Sequence, residues 1–505
     1  MKYLFLLFFS LSLSSFGQKT SYFSALMGET SKTDSALVKI DDPSKIEAKI
    51  EGKQAGNFKV LDYQNTGEGQ VKITYRFEPD QVSRGISRAS LLILNNKKIQ
   101  EVIDLVGIAI PALEGENEAP LSQVLDALGY STDIGWKTLP NHVRPELQGE
   151  EINAGLFRKA FDGPVKITPI ARYSPPSLLP FGFYVNTENG PALSQTGILA
   201  DSENFHEHQA LFPALAQGAM SFDPVNATFG FYVASETHTS FTEDIWNMVY
   251  SRDHASHSAR IYPVKDKEGN YQPNSYLLCY EEAANGDYQD FVFLVENVRP
   301  VNPEQNFTNL LHQNDLDGWD IYMDEFGLNK DPNHMFTLKD GLLKVVGKDL
   351  GYIITDKSYE NYHFKVDFKW GEKKWPPRLN DKRDSGICYH IPSNDPNKVW
   401  PLSVECQIQE GDVGDFWLLG FNTIMVDGKQ NIPKQYSNLV KSKDNERPHG
   451  EWNTVEVLSF NGKCIHIVNG MVVNYGTESS LRKGRILLQS EYAEVYYKNV
   501  KIREL

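Results

Sequence analysis

The sequence predicts a mainly β protein whose C-terminal part is a β-sandwich. Residues 364–370 alternate apolar and charged side chains, as expected of a strand with one buried face. Asn461-Gly462 and Asn469-Gly470 fit the tight turns of β-hairpins. After residue 306 the sequence carries no helical periodicity, and many short strands at regular spacing are typical of a sandwich.

The region before residue 300 is predicted to be β-rich with one short helix. The helix begins after Pro120, carries its leucines and valine on one face, and ends at Gly129. Residues 181–185 and 229–233 repeat the pentapeptide FGFYV. The repeat indicates either equivalent strands of one β-domain or a chance similarity of two core strands.

The chain divides into four parts on these patterns. The stretch from Val298 to Glu304 carries two prolines between strand-like runs and predicts a linker, which we place at residues 301–305. The expected parts are a signal peptide at 1–17, a β-rich region of unassigned family at 18–300 with a candidate subdomain boundary near 155, the linker, and the sandwich at 306–505.

The N-terminus has the pattern of a cleavable export signal. Lys2 precedes a short apolar run, and small residues come just before Gln18, where we expect cleavage. The run is shorter than the roughly 20 residues that cross a bilayer. No cysteine follows the cleavage point to carry a lipid anchor, and no later segment reads as a membrane span. The sequence therefore predicts a secreted or periplasmic protein.

The net charge of −16 argues against binding to nucleic acid or to an anionic membrane surface. The four cysteines are far apart and show no metal-binding spacing, so we expect buried thiols rather than disulfides or a zinc site; they are Cys279, Cys388, Cys406 and Cys464.

An acidic turn is predicted between two strands near residue 285. Glu281, Asp287 and Asp290 offer the oxygen ligands that Ca²⁺ prefers, although their spacing is not that of an EF-hand. The turn also resembles an acidic ending of β-sandwich modules in bacterial surface proteins. Two interpretations stay open, a calcium site and a solvated acidic turn.

The strongest functional signal is the strand at residues 402–409. Its apolar residues alternate with Glu405, Gln407 and Gln409, which therefore share one face. Carboxylates and amides bind sugar hydroxyls, and the aromatic rings of Trp400 and Trp417 can stack on sugar rings. The competing interpretations are a carboxylate paired with a lysine and tryptophans that belong to the core.

Residues 306–505 resemble the 3-keto-disaccharide hydrolase domain family, formerly a domain of unknown function. The motifs that carry the resemblance run in order through the segment: Asp315 to Trp319, Asp340 to Leu343, Asp384 to Ile387, Val404 to Ile408, Gly450 to Asn453, Gly484 to Ser490 and Asn499 to Leu505. The resemblance implies a concanavalin A-like jelly roll that cleaves 3-keto-glycosides outside the cytoplasm. It also implies an upstream sugar 3-oxidoreductase. Asp384 and His390 depart from the common pattern, which leaves the substrate open.

The predicted chemistry uses one carboxylate. A C3 ketone acidifies the C2 proton, so one base suffices for elimination of the group at C1, and hydration completes a net hydrolysis. We predict Glu405 as the base, with His390 as the other candidate, while Arg383 balances the enolate charge. A divalent metal held by His390 and Glu405 is a candidate for polarising the ketone. Structural roles for His390 and a solvated Arg383 are the competing interpretations.

Two functions from other classes remain open on the sequence. The same fold serves as a non-catalytic lectin, in which one carboxylate only binds hydroxyls. Alternatively, the N-terminal region makes the chain a surface adhesion protein that displays the sandwich.

Overall fold

The computed structural model describes residues 19–113, 115–200, 208–252, 255–394 and 398–505. The predicted signal peptide, residues 1–17, and its cleavage point before Gln18 lie outside the described residues. Within them the chain is mainly β, as predicted. None of the helices in these segments has the length and apolar character needed to cross a membrane.

The N-terminal strands form a first β-sandwich. A four-stranded sheet of order β1-β7-β6-β3 faces a three-stranded sheet of order β2-β5-β4, and Phe23, Tyr75 and Leu91 lie in the core between them. The strands are β1 (Lys19–Leu26), β2 (Thr33–Lys39), β3 (Ile46–Glu51), β4 (Phe58–Gly67), β5 (Gln70–Phe77), β6 (Gly85–Asn95) and β7 (Lys98–Ile110).

The predicted helix is present as α1 (Leu121–Leu128). Gly129 ends it in the left-handed conformation with φ 84°, which glycine adopts without strain. Its apolar face packs against Ile108 of the first sandwich and Tyr262 of the next one. The helix therefore joins the two N-terminal sandwiches.

A second sandwich follows. Its sheets have the orders β13-β11-β10-β15-β16 and β12-β9-β19-β18-β17, with β14 on β9, and β20 pairs with β8 beside them. The FGFYV segments lie in adjacent antiparallel strands, where Phe183 pairs with Phe231. The elements are β8 (Leu156–Lys159), β9 (Val165–Tyr173), β10 (Leu179–Thr187), β11 (Gly190–Leu199), β12 (Gln209–Leu211), β13 (Leu215–Gly218), β14 (Ser221–Phe222), β15 (Gly230–Ala234), β16 (Thr239–Phe241), α2 (Asp244–Tyr250), β17 (Ala259–Lys265), β18 (Tyr271–Tyr280), β19 (Phe291–Glu296) and β20 (Val298–Val301).

The segment that was predicted as a linker is structured. Val298–Val301 is strand β20, and a 3-10 turn follows at Pro303–Asn306. Lys501 of the C-terminal domain donates a hydrogen bond to Glu304 at 2.7 Å. The prolines thus mark the end of an edge strand and the start of a turn, positions that lack an obligatory backbone donor.

The C-terminal domain is a two-sheet antiparallel sandwich, which confirms the predicted jelly-roll class. A ten-stranded sheet packs on an eight-stranded sheet of order β23-β22-β26-β37-β28-β29-β30-β33. Phe364, Val404 and Val455 lie in the core between them. The strands are β21 (Thr308–Asn309), β22 (Trp319–Met323), β23 (Gly327–Leu328), β24 (Phe336–Lys339), β25 (Leu342–Val345), β26 (Gly351–Thr355), β27 (Tyr362–Lys374), β28 (Asp384–Ile391), β29 (Ser403–Gln409), β30 (Phe416–Leu419), β31 (Met425–Val426), β32 (Lys429–Gln430), β33 (Tyr436–Leu439), β34 (Asn453–Phe460), β35 (Lys463–Val468), β36 (Met471–Thr477), β37 (Arg485–Ser490) and β38 (Ala493–Glu504).

The second sandwich docks on the outer face of the ten-stranded sheet. Trp246 of α2 packs edge-on against Phe460 with ring centroids 5.3 Å apart, in an apolar cluster that also holds Ile465. Arg503 donates to Glu243 at 2.8 Å across the same contact. This docking surface belongs to the ten-stranded sheet, whereas the predicted sugar-binding strand β29 belongs to the other sheet.

Candidate functional site

The polar alternation of β29 is confirmed. Val404, Cys406 and Ile408 lie in the sandwich core, so Glu405 and Gln407 project from the opposite side of the sheet. We call this outer surface of the eight-stranded sheet the site face. It contains the residues Asp384, Gly386, Glu405, Gln407, Gln409, Trp417, Gln489 and Glu491.

Strand pairing places several of these residues beside one another. Glu405 pairs with Trp417 of β30, so the indole lies on the same face as the carboxyl group, and Trp417 is half-buried. Asp384 pairs with Gln409 on one side and bridges to Glu491 on the other. The site face therefore joins polar groups from three neighbouring strand ends.

A glycine makes room for two of these groups. A Cβ at Gly386 would lie 1.9 Å from Glu405 Oε1 and 2.6 Å from Gln489 Oε1. The heads of the two side chains therefore converge over the Gly386 backbone. This packing explains why the segment Asp384 to Ile387 needs glycine at its third position.

Three carboxyl groups are gathered on the site face. Arg378 Nη1 contacts Asp384 Oδ2 at 2.6 Å and also forms an ion pair with Glu491, and Gln409 Nε2 donates to Asp384 Oδ2 at 2.5 Å. Burial and the charge of Asp384 raise the pKa of Glu491 to about 7, against the opposing effect of Arg378. Burial also raises the pKa of Asp384.

Glu405 is the third carboxyl of the cluster. Its residue is 6% exposed, and burial, followed by repulsion from Asp384 and Glu491, raises its pKa well above the usual value. The described residues give it no ion pair with a basic side chain. Its surroundings therefore favour the protonated form of Glu405 in the ligand-free protein, which suits a proton donor better than a resting base.

The sequence-based expectation that a single carboxylate serves this surface is wrong. The expected number of carboxylates came from the alternation within β29 alone. The other two carboxyls belong to Asp384, which begins β28, and to Glu491, which follows β37. Their approach to Glu405 depends on pairing between strands that are distant in the sequence. One sequence signal could have found Glu491. It alternates with the core residues Ile486 and Leu488 of β37, so it shares the outer face with Gln489.

His390 lies away from the site face. Strand β28 has an irregularity between Cys388 and Ile391, and His390 adopts φ 59° there. Its Nε2 contacts Ser459 Oγ of the opposite sheet at 2.9 Å, and burial lowers its pKa to about 3. The predictions of His390 as a catalytic group and as a joint metal ligand with Glu405 are thus corrected, because the bulge turns the ring between the sheets.

Arg383 does not join the carboxyl cluster either. Its guanidinium contacts Glu410 at 3.0 Å and donates to the carbonyl oxygens of Gly371 and Glu372. The cation of the cluster is Arg378 instead, whose position in a loop before β28 gave no sequence signal. Trp400 is half-buried in the segment that precedes β29.

A charged cavity of about 260 Å³ lies elsewhere, between the second sandwich and the C-terminal domain. His257 lines it and contacts Glu151 at 2.8 Å and Asp244 at 2.9 Å. Burial disfavours the charged ring, but the two acids outweigh it and raise the pKa of His257 to about 10. The protonated ring and the two carboxylates neutralise one another. The cavity is therefore best explained as part of a polar contact between the two domains.

The acids of the predicted calcium turn are brought together. Single carboxylate oxygens of Glu281, Asp287 and Asp290 all lie within 4.8 Å of one another, and all three residues are buried. Burial, with Asp287 as the next cause, raises the pKa of Glu281 to about 7. The interpretation as a solvated acidic turn is therefore wrong.

Comparisons with known proteins agree with the C-terminal sequence motifs. Residues 306–503 match the family model described as "3-keto-alpha-glucoside-1,2-lyase-like domain". This match confirms the resemblance for the C-terminal domain. No curated protein matches the sequence at a significant level.

Several solved structures are similar to part of the chain. A "putative glycosyl hydrolase" from Parabacteroides distasonis is 23% identical, covers 41% of this chain and 98% of its own, and has a TM-score of 0.29. The carbohydrate binding module CBM66 from Bacillus subtilis is 9% identical, with coverages of 37% and 96% and a TM-score of 0.27. An endo-β-1,3-glucanase from Pyrococcus furiosus is 9% identical, with coverages of 39% and 92% and a TM-score of 0.28.

Proposed function

Because its C-terminal domain matches a family described as 3-keto-α-glucoside-1,2-lyase-like, we propose that this protein is an exported enzyme that cleaves 3-keto-glycosides. The observation that supports the proposal best is the cluster of Glu405, Asp384 and Glu491 on the site face. All three carboxyls have raised pKa values, and strongly shifted pKa values are typical of functional sites.

The proposed reaction begins at C2 of the sugar. A carboxylate accepts the C2 proton, and the electrons of the C–H bond form an enolate that is conjugated with the C3 ketone. The electrons of the enolate then form the C1=C2 double bond while the C1–O bond breaks. The electrons of the C1–O bond leave with the aglycone, which takes up a proton. Addition of water across the double bond gives the free 3-keto sugar, so the net reaction is hydrolysis.

The surroundings of the two glutamates divide the roles, because Glu491 is paired with Arg378 and Glu405 has no basic partner among the described residues. Glu491, with a pKa of about 7, is ionised in much of the protein at neutral pH and is the better resting base. Burial favours the protonated form of Glu405, which can donate its proton to the developing enolate oxygen. This division replaces the sequence-based assignment of Glu405 as the base, and it follows the rule that neighbouring carboxyls in different environments take acid and base roles.

Other groups on the site face fit sugar binding. Gln407 and Gln409 offer amide donors and acceptors to hydroxyls, and the half-buried Trp417 offers a ring for stacking. Arg378 holds Asp384 and Glu491 in place. An oxidoreductase that acts at C3 of the sugar must supply the substrate, because ordinary glycosides lack the ketone.

A conventional glycoside hydrolase is a second candidate. The observation that favours it is the same cluster, since such enzymes flank the scissile bond with two carboxyl groups. The two candidates differ in substrate, because a conventional hydrolase needs no ketone.

The test compares two chromogenic substrates on the mature chain from residue 18. We expect release of nitrophenol from a nitrophenyl 3-keto-glucoside and none from nitrophenyl glucoside. Glu405→Gln should remove activity, while Asp412→Asn, which alters a partly exposed partner of Lys382 in the turn after β29, should not. Equal cleavage of both substrates would favour the conventional hydrolase, and binding without product would favour the lectin.

A further inference from the structure

The loop that joins β18 to β19 gathers three buried carboxyl groups, and no cationic side chain among the described residues pairs with them. Glu281 and Asp287 are at most 1% exposed and Asp290 is 8% exposed. None of the three forms an ion pair with a basic side chain among the described residues. Buried carboxyl groups in such a cluster normally have a positive partner, because burial and mutual repulsion both disfavour their charged forms.

Unsatisfied oxygen atoms are a second, independent feature of the loop. Asp287 Oδ1 and Gln289 Oε1 are buried and have no hydrogen-bond partner among the described residues. Both residues are almost fully buried, at 1% and 0% exposure. A buried acceptor without a partner costs about 1–3 kcal/mol, and more when it is charged, so these oxygens indicate a missing ligand.

The chemistry of the cluster selects the ligand. We propose that the loop of residues 281–290 binds one calcium ion through the carboxylates of Glu281, Asp287 and Asp290. Two oxygens that share a Ca²⁺ at 2.3–2.6 Å cannot lie more than about 5 Å apart, and the three carboxylate oxygens lie within 4.8 Å of one another. The donors are all oxygen, with no histidine or cysteine in the group, which favours a hard cation over zinc.

The loop backbone already holds the carboxylates in position. The backbone N–H of Asp287 donates to Glu281 Oε2 at 2.9 Å, and that of Ala283 donates to Glu281 Oε1 at 3.0 Å. The N–H of Glu282 donates to Asp290 Oδ2. Calcium binding therefore needs little rearrangement, since the turn orients its acids through its own N–H groups.

The ion would fix this loop to the rest of the second sandwich. Tyr288 lies between the proposed ligands, donates to the carbonyl oxygen of His257 at 2.6 Å and stacks under the guanidinium of Arg260 at 4.7 Å. We therefore expect calcium to stabilise the N-terminal region, because an ion that binds only the folded state shifts unfolding to higher temperature.

The experiment uses the mature full-length chain after removal of metal with a chelator. Terbium, which replaces calcium, is added and its luminescence is excited through Tyr288 and the neighbouring ring of Trp136, 6.2 Å away. We expect one Tb³⁺ per chain, displaced by Ca²⁺, and a melting temperature that rises with Ca²⁺ and falls again with chelator. A folded wild-type chain that binds no ion, or whose melting temperature ignores both additions, would overturn the proposal.

Variants identify the ligands. Asp287→Asn and Glu281→Gln should each weaken Ca²⁺ binding at least about tenfold, with circular dichroism showing that the fold is retained. The matched control is Asp266→Asn, a partly exposed acid in the β17–β18 turn of the same sandwich, which should bind as the wild type does. If Asp287→Asn fails to fold, Glu281→Gln decides. Wild-type affinity in a folded Asp287→Asn or Glu281→Gln chain would overturn the assignment.

Discussion

Gly386 lies directly beneath the carboxyl group of Glu405, so close that a Cβ at this position would approach Oε1 to 1.9 Å. The two residues belong to adjacent strands, β28 and β29, of the eight-stranded sheet. The carboxyl of Glu405 is thus positioned by the absence of a side chain on its neighbour. Gln489, on the other side of β28, shares the space.

Gly386→Ala should therefore impair catalysis more than folding. The added methyl group must push Glu405 and Gln489 from their positions, and a displacement of about 1 Å can cost about 100-fold in rate. Overpacking costs about 1–3 kcal/mol of stability. The measurement is kcat/KM on a 3-keto-glycoside together with urea unfolding.

Gly56→Ala serves as the control for this variant, because a Cβ there meets no atom within 4 Å. Activity of Gly386→Ala equal to that of the control would show that the position of Glu405 is unimportant for the reaction.

The pH dependence of activity should report the ionisation of Glu491. Its pKa of about 7 means that the base form increases as the pH rises through neutrality. We expect kcat/KM to rise about tenfold per pH unit below pH 7 and then to level off. Glu491→Gln should lower kcat/KM by about 10²–10⁴-fold and remove the rising limb. A limb that persists unchanged in Glu491→Gln would assign the base to another group.

The raised pKa of Glu405 should also affect stability. The folded protein holds this proton more tightly than the unfolded chain, whose glutamates ionise near their ordinary pKa of 4.5. Stability is therefore lost as the pH rises above that value, until Glu405 ionises in the folded state as well.

Glu405→Gln removes this titration. The free energy of unfolding of the variant, relative to that of the wild type, should therefore increase between pH 5 and pH 8. Urea unfolding at the two pH values tests this, with the partly exposed acid of Asp412→Asn as the control. A difference from the wild type that stays constant with pH would mean that the Glu405 pKa is not raised.

His390 should act on stability and not on catalysis. Its ring contacts Ser459 between the sheets, and its pKa of about 3 keeps it neutral. His390→Asn keeps a residue that tolerates φ 59° but loses the buried ring, at a cost of about 1–3 kcal/mol. The pH profile of kcat/KM should keep its shape. If His390→Asn lost activity at unchanged stability, His390 would have a role in catalysis and this interpretation would be wrong.

Local patterns in the sequence predicted much of the fold. The alternation of β27 and β29 and the stop at Gly129 were sufficient to place strands, the buried face and α1, because these features depend on neighbours in the chain. The edge strand β20 just before the predicted linker was not foreseen, because Pro300 also suits a linker and the partner strand β8 lies far earlier in the sequence.

The site was only partly predictable. Glu405, Gln407 and Gln409 share a face by alternation alone, and Trp417 joins them by strand pairing. Glu491 and Arg378 reach Asp384 through loops and pairings that no local pattern encodes. His390 was assigned to the wrong side because one bulge reverses the side-chain direction that strict alternation assumes.

The central claim, removal of the C2 proton, is tested most directly with a nitrophenyl 3-keto-glucoside that carries deuterium at C2. The account predicts that nitrophenol is released more slowly than from the unlabelled substrate and that the label is lost to water from the sugar product. Release at the same rate with deuterium fully retained at C2 would contradict it.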